Sequence, residues 1–180
     1  RAAFGQRGIR DVLIKSAGMA PSFPHMSDNV DDLVPAALVG EARAALRELG
    51  YVELRILEEP RKFFFKRFSA GQEVAAHHLH ELVGWAASFM DEEMVLQRAR
   101  PAADDADVLV PHPEDALLIT MAHAFYENKA IKLGDLGKVR HLLRTGELDW
   151  ARLRSLAENK GWLDGLNVLI GIFIRLDAVL

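Results

Sequence analysis

The chain has 180 residues, half of them apolar and 27% charged, with no cysteine and a formal net charge of −4. That length supports one ordinary domain or two small ones around a real core. The composition excludes a disulfide framework, a thiolate metal site and a cysteine nucleophile, and it supplies no strong basic field to draw in nucleic acid or anionic lipid. The local pairs Arg61-Lys62 and Lys66-Arg67 read as solvated strand edges.

The opening RAAFGQRGIRD has no apolar run long enough for a secretory leader. With the absent cysteines, this fits a reducing compartment, and a cytoplasmic location is expected. IRDVLIK, residues 9–15, is rich in β-branched residues and ends in a Ser-Ala-Gly turn, so it predicts a strand. Pro21 and Pro24 make the next stretch a loop. NVDDLV predicts a second strand, stopped by Pro35. AALVGEARAALRELG follows with Leu38, Ala42, Ala45, Leu46 and Leu49 at helical spacing and Gly50 as its stop. YVELRIL alternates as a strand does, and RKFFFKRF and EVAAHHLHEL form a hairpin across Ala70-Gly71-Gln72.

From Asp91 the pattern turns helical. DEEMVLQRAR is a short helix, PAADDAD a polar loop and DVLVP a brief extended link. PEDALLITMAHAFYENK begins a helix at Pro113, with Glu114 and Asp115 in the first turn where the helix dipole favours negative charge. LGDLGKVRHLLRTG, DWARLRSLAENKG and the apolar LNVLIGIFIRLDAVL follow as helices. The last is interrupted by Arg175 and Asp177 and is shorter than the roughly 20 residues of a membrane span, so it reads as a buried helix and no membrane partner is expected. A first residue other than methionine, and an end inside that helix, read as part of a longer protein. The expected architecture is α+β: a small mixed β-sheet domain over residues 1–90, then a helical domain over residues 91–180 packed against it.

The residues that can carry chemistry cluster in SDNVDDLVP. Along a strand, Asn29 and Asp31 share one face while Asp28 and Asp32 point to the other. Two carboxylates leaving a strand beside a loop can hold a divalent ion, and Mg²⁺ is commonly bound by one or two carboxylates with substrate phosphates. In His77-His78-Leu79-His80, His78 and His80 share a face, and two imidazoles at that spacing can chelate a transition metal, with Asp31 as a third ligand if the sheet brings it opposite. The plainer reading is a polar strand. His123, on an apolar helix, reads as a structural histidine, with a cleft between the two halves as its alternative place. Asp135 and Lys138 read as a helix-surface pair, and Trp85, Trp150 and Trp162 as packing residues. None of the serines lies in a nucleophile elbow, and neither GxxxxGK[ST] nor GxGxxG occurs.

The order of strand, Lys15-Ser16-Ala17-Gly18, loop, Asn29-Val30-Asp31, Leu33-Val34 and helix resembles the nucleotidyltransferase superfamily. That superfamily carries a small-residue turn, then Asp-apolar-Asp on the next strand. More narrowly, PHPEDALLITMAHAFYENK, LGDLGKVRHLL and DWARLRSLAENKGW make the chain similar to the uncharacterised nucleotidyltransferase-like family over nearly its whole length. The resemblance implies transfer of a nucleoside monophosphate from a nucleoside triphosphate to an acceptor it leaves unnamed, with Mg²⁺ as cofactor. It implies Asp31 as metal ligand, Asp28 or Asn29 completing the pair, Ser16, Ala17 and Gly18 cradling phosphates and Lys15 offsetting their charge. The motif also departs from the pattern. Asn29 stands where the first aspartate belongs, and His78 where a third carboxylate would be. Those departures leave two alternatives beside an active enzyme: a degenerate, binding or regulatory member, and a transition-metal site on Asp31, His78 and His80.

Overall fold

The structure, a computed structural model, describes residues 2–15, 29–84, 88–103, 105–144 and 148–179. Its centre is a five-stranded mixed sheet in the order β1-β2-β5-β4-β3. The strands are β1 (Val12–Leu13), β2 (Asn29–Leu33), β3 (Val52–Leu54), β4 (Lys62–Ser69) and β5 (Gln72–His80). β2 and β5 run parallel and the other neighbours antiparallel. The expected hairpin is β4–β5, turning through Ala70 and Gly71, which both have positive φ. The two outer strands are shorter than their sequences predict. Of IRDVLIK only Val12 and Leu13 pair, and of YVELRIL only Val52 to Leu54. Ile14 still donates its N–H to Asp31 O at 2.9 Å, and then Lys15 turns the chain away with φ 63°.

Alternation gives the sheet two distinct faces. On one lie Phe65 and Leu79, which bury against Val39, Ala42, Ala45 and Leu46 of α2 (Val39–Glu48), with Phe4 of the helical turn α1 (Ala2–Gly5) closing the layer. This is the helix backing the sheet that the sequence predicts. Polar residues share the layer: Asp32 is buried, and its carboxylate meets the imidazole of His77. That ring also stands edge-on to Phe4 and Tyr51. An acid in place of an apolar strand residue is thus matched by a histidine on the adjoining strand.

The other face meets the helices α3 (Glu92–Arg98), α4 (Pro113–Ala122), α5 (Leu133–Arg144), α6 (Trp150–Lys160) and α7 (Leu163–Asp177). Val12, Ile14 and Leu33 belong to the same core as Leu117, Leu118, Met121, Val139, Leu153 and Leu169. Every residue of α4 is buried, so the helix that is apolar all round is the one the others surround. The polar loop between β6 (Arg100–Pro101) and β7 (Leu109–Val110) joins a two-stranded ribbon. Asp91 and Asp149 cap α3 and α6, accepting from the N–H groups of Met94 and Arg152, and Gly161 ends α6 in the left-handed conformation. Trp162 stacks on Phe89 and donates its Nε1–H to that residue's carbonyl at 3.0 Å, whereas Trp150 is exposed, contrary to its reading as a packing residue. Trp85 lies outside the described residues. No helix among the described residues is long and apolar enough to cross a membrane.

The acids of the α4 first turn do more than complement a helix dipole. Glu114 and Asp115 are buried; Arg98 of α3 bonds both oxygens of Asp115 at 2.9 and 3.0 Å and Glu114 at 2.6 Å. The second oxygen of Glu114 accepts the N–H of Asp149 at 2.8 Å, so one carboxylate ties three helices. Replacing Arg98 with alanine removes the guanidinium that bonds both buried carboxylates. That should cost about 3 kcal/mol, measured as a lower urea midpoint, and Arg98→Lys should recover only part of it because lysine cannot bond bidentately.

Candidate active site

Register decides what converges. β2 and β5 pair so that Asp31 lies opposite His78, and β5 and β4 pair so that His80 lies opposite Lys62 and His78 opposite Phe64. Paired residues share a face, so Asn29, Asp31, His78, His80 and Lys62 all project toward the helical side. The cleft there has a volume of about 250 Å³, and its other wall is His123, Glu127, Asn128, Gly134, Asp135 and Lys138. Lys15 and Asn29, which flank residues 16–28, both line it. Ser16, Ala17, Gly18 and Asp28 lie outside the described residues.

Asp31 is the hub. Its Oδ1 is 2.6 Å from His80 Nε2, 3.2 Å from Lys15 Nζ and 3.4 Å from His78 Nδ1, while Oδ2 accepts from Asn29 Nδ2 at 2.9 Å. Burial alone would raise its pKa, but the hydrogen bond from His80 and the Lys15 charge outweigh burial and hold the carboxyl well below the usual range. His80 is fully enclosed; burial, helped by the Lys15 charge and opposed by Asp31, pushes it down to about 4, so it is neutral at pH 7. Asn29 Nδ2 also lies 2.7 Å from His78 Nδ1. An amide NH₂ only donates, so Nδ1 accepts and a neutral His78 carries its proton on Nε2. Phe64 packs on the His78 ring with centroids 4.2 Å apart.

Across the cleft, Glu127 accepts from Lys62 at 2.6 Å and from Lys15 at 3.1 Å. Burial opposes its charge, but the two lysines dominate and bring its pKa down to about 2. Glu127 and His123 face the cleft because the chain leaves α4 through a π-helical turn, His123–Glu127, in which the Asn128 N–H reaches the His123 carbonyl at 2.8 Å. Such wide turns recur at functional sites because they re-aim side chains within a helix. His123 therefore takes the alternative place foreseen for it, on the cleft wall. The expected Asp135–Lys138 surface pair is instead buried, and both residues line the cleft. Burial lowers the Lys138 pKa although Asp135 raises it. Lys62, read as a strand-edge charge, is turned inward, and its pKa is raised because Glu127 and Glu59 outweigh burial. Sequence reasoning missed Lys62, Glu127, Lys132 and Lys138 as site residues. For Lys62 the signal was available in the hairpin register with His80; for Glu127 the π-helical turn leaves none.

Asp31, His78 and His80 offer ligand atoms within 4.8 Å of one another, enough for one ion. This donor set does not fit Mg²⁺, which requires an octahedron of oxygens. Asp31 is the only described carboxylate among the three, and the neighbouring ligand positions are imidazoles and an amide. Glu127 is committed to two lysines, and Asp135 Oδ2 accepts the Lys132 N–H at 3.0 Å.

A sheet whose central parallel strands carry an aspartate into a cleft covered by a helical bundle is the arrangement of a nucleotidyltransferase fold. The solution structure of the antibiotic-resistance factor ANT(2'')-Ia is similar with a TM-score of 0.59 and 12% identity, over 99% of this chain and 93% of that one. The crystal structure of ANT(2'')-Ia in complex with adenylyl-2''-tobramycin gives 0.55 and 13%, over 88% and 91%. At such identities the likeness is one of fold. The family model described as uncharacterised nucleotidyltransferase matches residues 1–173, and the chain belongs to that family. No curated protein matches it.

His123 gives the site a measurable pH signature. Burial and then the Lys15 charge lower its pKa to about 4, with Glu127 and Asp135 opposing. The unfolded chain takes up this proton near pH 6.5 and the native protein only near 4, so the contribution to stability is complete above 6.5 and is lost as pH falls toward 4. Between pH 7 and 4.5 His123→Gln should lose about 2 kcal/mol less stability than the parent protein, measured by urea unfolding at both values.

Proposed function

We propose that the protein transfers a nucleoside monophosphate from a nucleoside triphosphate to a hydroxyl of an acceptor and releases pyrophosphate. The observation that carries this reading is the position of Asp31, on the strand where the family's Asp-apolar-Asp motif falls, facing a cleft lined by Lys15, Lys62, Lys132 and Lys138. Four ammonium groups line the cleft beside the carboxylates of Asp31, Glu127 and Asp135, and they are the groups that a polyanionic triphosphate would meet. The neighbour's complex with adenylyl-2''-tobramycin supports a small-molecule acceptor.

In this reading the acceptor oxygen attacks the α-phosphorus, the bond to the β-phosphate oxygen breaks, and pyrophosphate leaves with the charge that the lysines offset. Lys15 and Lys62, both paired with Glu127 in the cleft, supply the ammonium groups that meet the phosphate oxygens. His123, neutral at pH 7, is the cleft group suited to take the acceptor proton. Ser16, Ala17 and Gly18 are assigned to the phosphates, and Asp28 or Asn29 to completing the pair with Asp31. The reading takes residues 1–90 as the sheet domain and 91–180 as the helical domain, with the substrate between them.

One observation favours a second reading, a binding or regulatory module without turnover. Lys15 and Asn29 already satisfy both oxygens of Asp31, as they would in a site that no longer takes up an ion. Calorimetry with ATP and GTP, joined to a pyrophosphate-release assay across candidate acceptors, separates the two. For an enzyme, Lys62→Met should weaken nucleotide binding about tenfold, the loss of one charge-assisted bond. Asp31→Ala should lower turnover roughly 100-fold or more. Nucleotide binding without pyrophosphate release would favour the module, and no nucleotide binding in any condition would remove both readings.

A further inference from the structure

We propose that Asp31, His78 and His80 bind one borderline transition-metal dication of the zinc or cobalt kind, in place of the magnesium that the fold implies, and that the ion displaces Lys15 from Asp31 toward Glu127. Two imidazoles and one carboxylate at 2.6 and 3.4 Å around a single oxygen form the donor set that zinc, cobalt and their neighbours prefer, and magnesium does not. Three protein ligands leave at least one position open for a phosphate or water oxygen.

The surroundings are already arranged for the exchange. Lys15 Nζ lies 3.2 Å from Asp31 Oδ1 and 3.1 Å from Glu127 Oε1, so it can give up the first partner and keep the second. Asn29 Nδ2 joins Asp31 Oδ2 to His78 Nδ1 as a metal would, and on ion binding it retains the carboxylate bond and frees the imidazole nitrogen. It then acts from behind the ligand, the usual place for an amide that orients a carboxylate. His80 moves its proton from Nε2 to Nδ1 to present a lone pair. Phe64 against the His78 ring restricts its rotation. The residues that break the magnesium pattern, Asn29 and His78, are the ones that build this site.

The use of the ion rests on the nucleotidyl-transfer reading, but its binding does not, so the test is run without nucleotide. Co²⁺ is titrated into the full chain, and its visible d–d absorption is followed, with Zn²⁺ and Mg²⁺ as competitors. The expected result is one Co²⁺ per chain, displaced by Zn²⁺ and not by millimolar Mg²⁺. His78→Gln, a partly exposed position whose folding is checked by circular dichroism, should weaken binding on the order of 10–100-fold. Lys15→Met should tighten it by removing the competing cation. Absence of Co²⁺ and Zn²⁺ binding, unchanged affinity in His78→Gln, or equal competition by Mg²⁺ would each overturn the proposal. Mg²⁺-supported pyrophosphate release in a protein that fails the cobalt test would overturn this inference alone and leave nucleotidyl transfer standing.

Discussion

A carboxylate kept charged inside the protein is the constraint around which the rest is organised. An ion of that size loses several kcal/mol of hydration when buried, so Asp31 can remain ionised only if its neighbours replace water. Strand register supplies His80, the turn after β1 supplies Lys15, and the same strand supplies Asn29. Lys15 reaches its place with a left-handed backbone, which costs a residue with a side chain roughly 1 kcal/mol. Backbone strain of this kind persists where surrounding bonds over-determine it, and here two carboxylates hold the ammonium end.

The same requirement explains the division of labour across the sheet. The face toward α2 carries the apolar layer, where the buried acid Asp32 is answered by His77 and Glu53 by Arg43 and Arg47 of α2. The face toward the helices is apolar at the β1–β2 edge, where Val12, Ile14 and Leu33 join the main core, and carries the Phe64 ring on β4. Further along it becomes polar, and the helical half responds with Glu127, His123, Asp135 and Lys138 in place of leucines. The bundle opposite is held by its own buried charges, the Arg98–Glu114–Asp115 cluster. Both charged centres are internal, and each joins elements distant in sequence.

Much of this was legible in the amino-acid order. Alternation and turn residues located β2, β4 and β5, and helical spacing with Pro113 and Gly161 located α4 and α6. The run of histidines was readable as a shared face with Asp31, given the right register. What could not be read depended on contacts between segments. The ends of the outer strands are set by what pairs beside them, so IRDVLIK and YVELRIL looked longer than the strands they form. Asp135 and Lys138 have the spacing of an exposed pair, and only the placing of α5 beside the cleft buries them. The π-helical turn at His123 adds one residue to a helical loop without any composition that marks it, which kept Glu127 out of sight.

The contact between Asp32 and His77 bears on how such a sequence can vary. Both side chains stand in a layer otherwise made of Phe4, Val39, Ala45, Phe65 and Leu79. A change to an apolar residue at either position alone strands the other polar group among hydrocarbons, an outcome worse than the starting pair. The two positions are therefore coupled across the parallel strands β2 and β5 as diagonal neighbours, two residues off the register that pairs Asp31 with His78. Relatives carrying valine or leucine at the first should carry an apolar residue at the second.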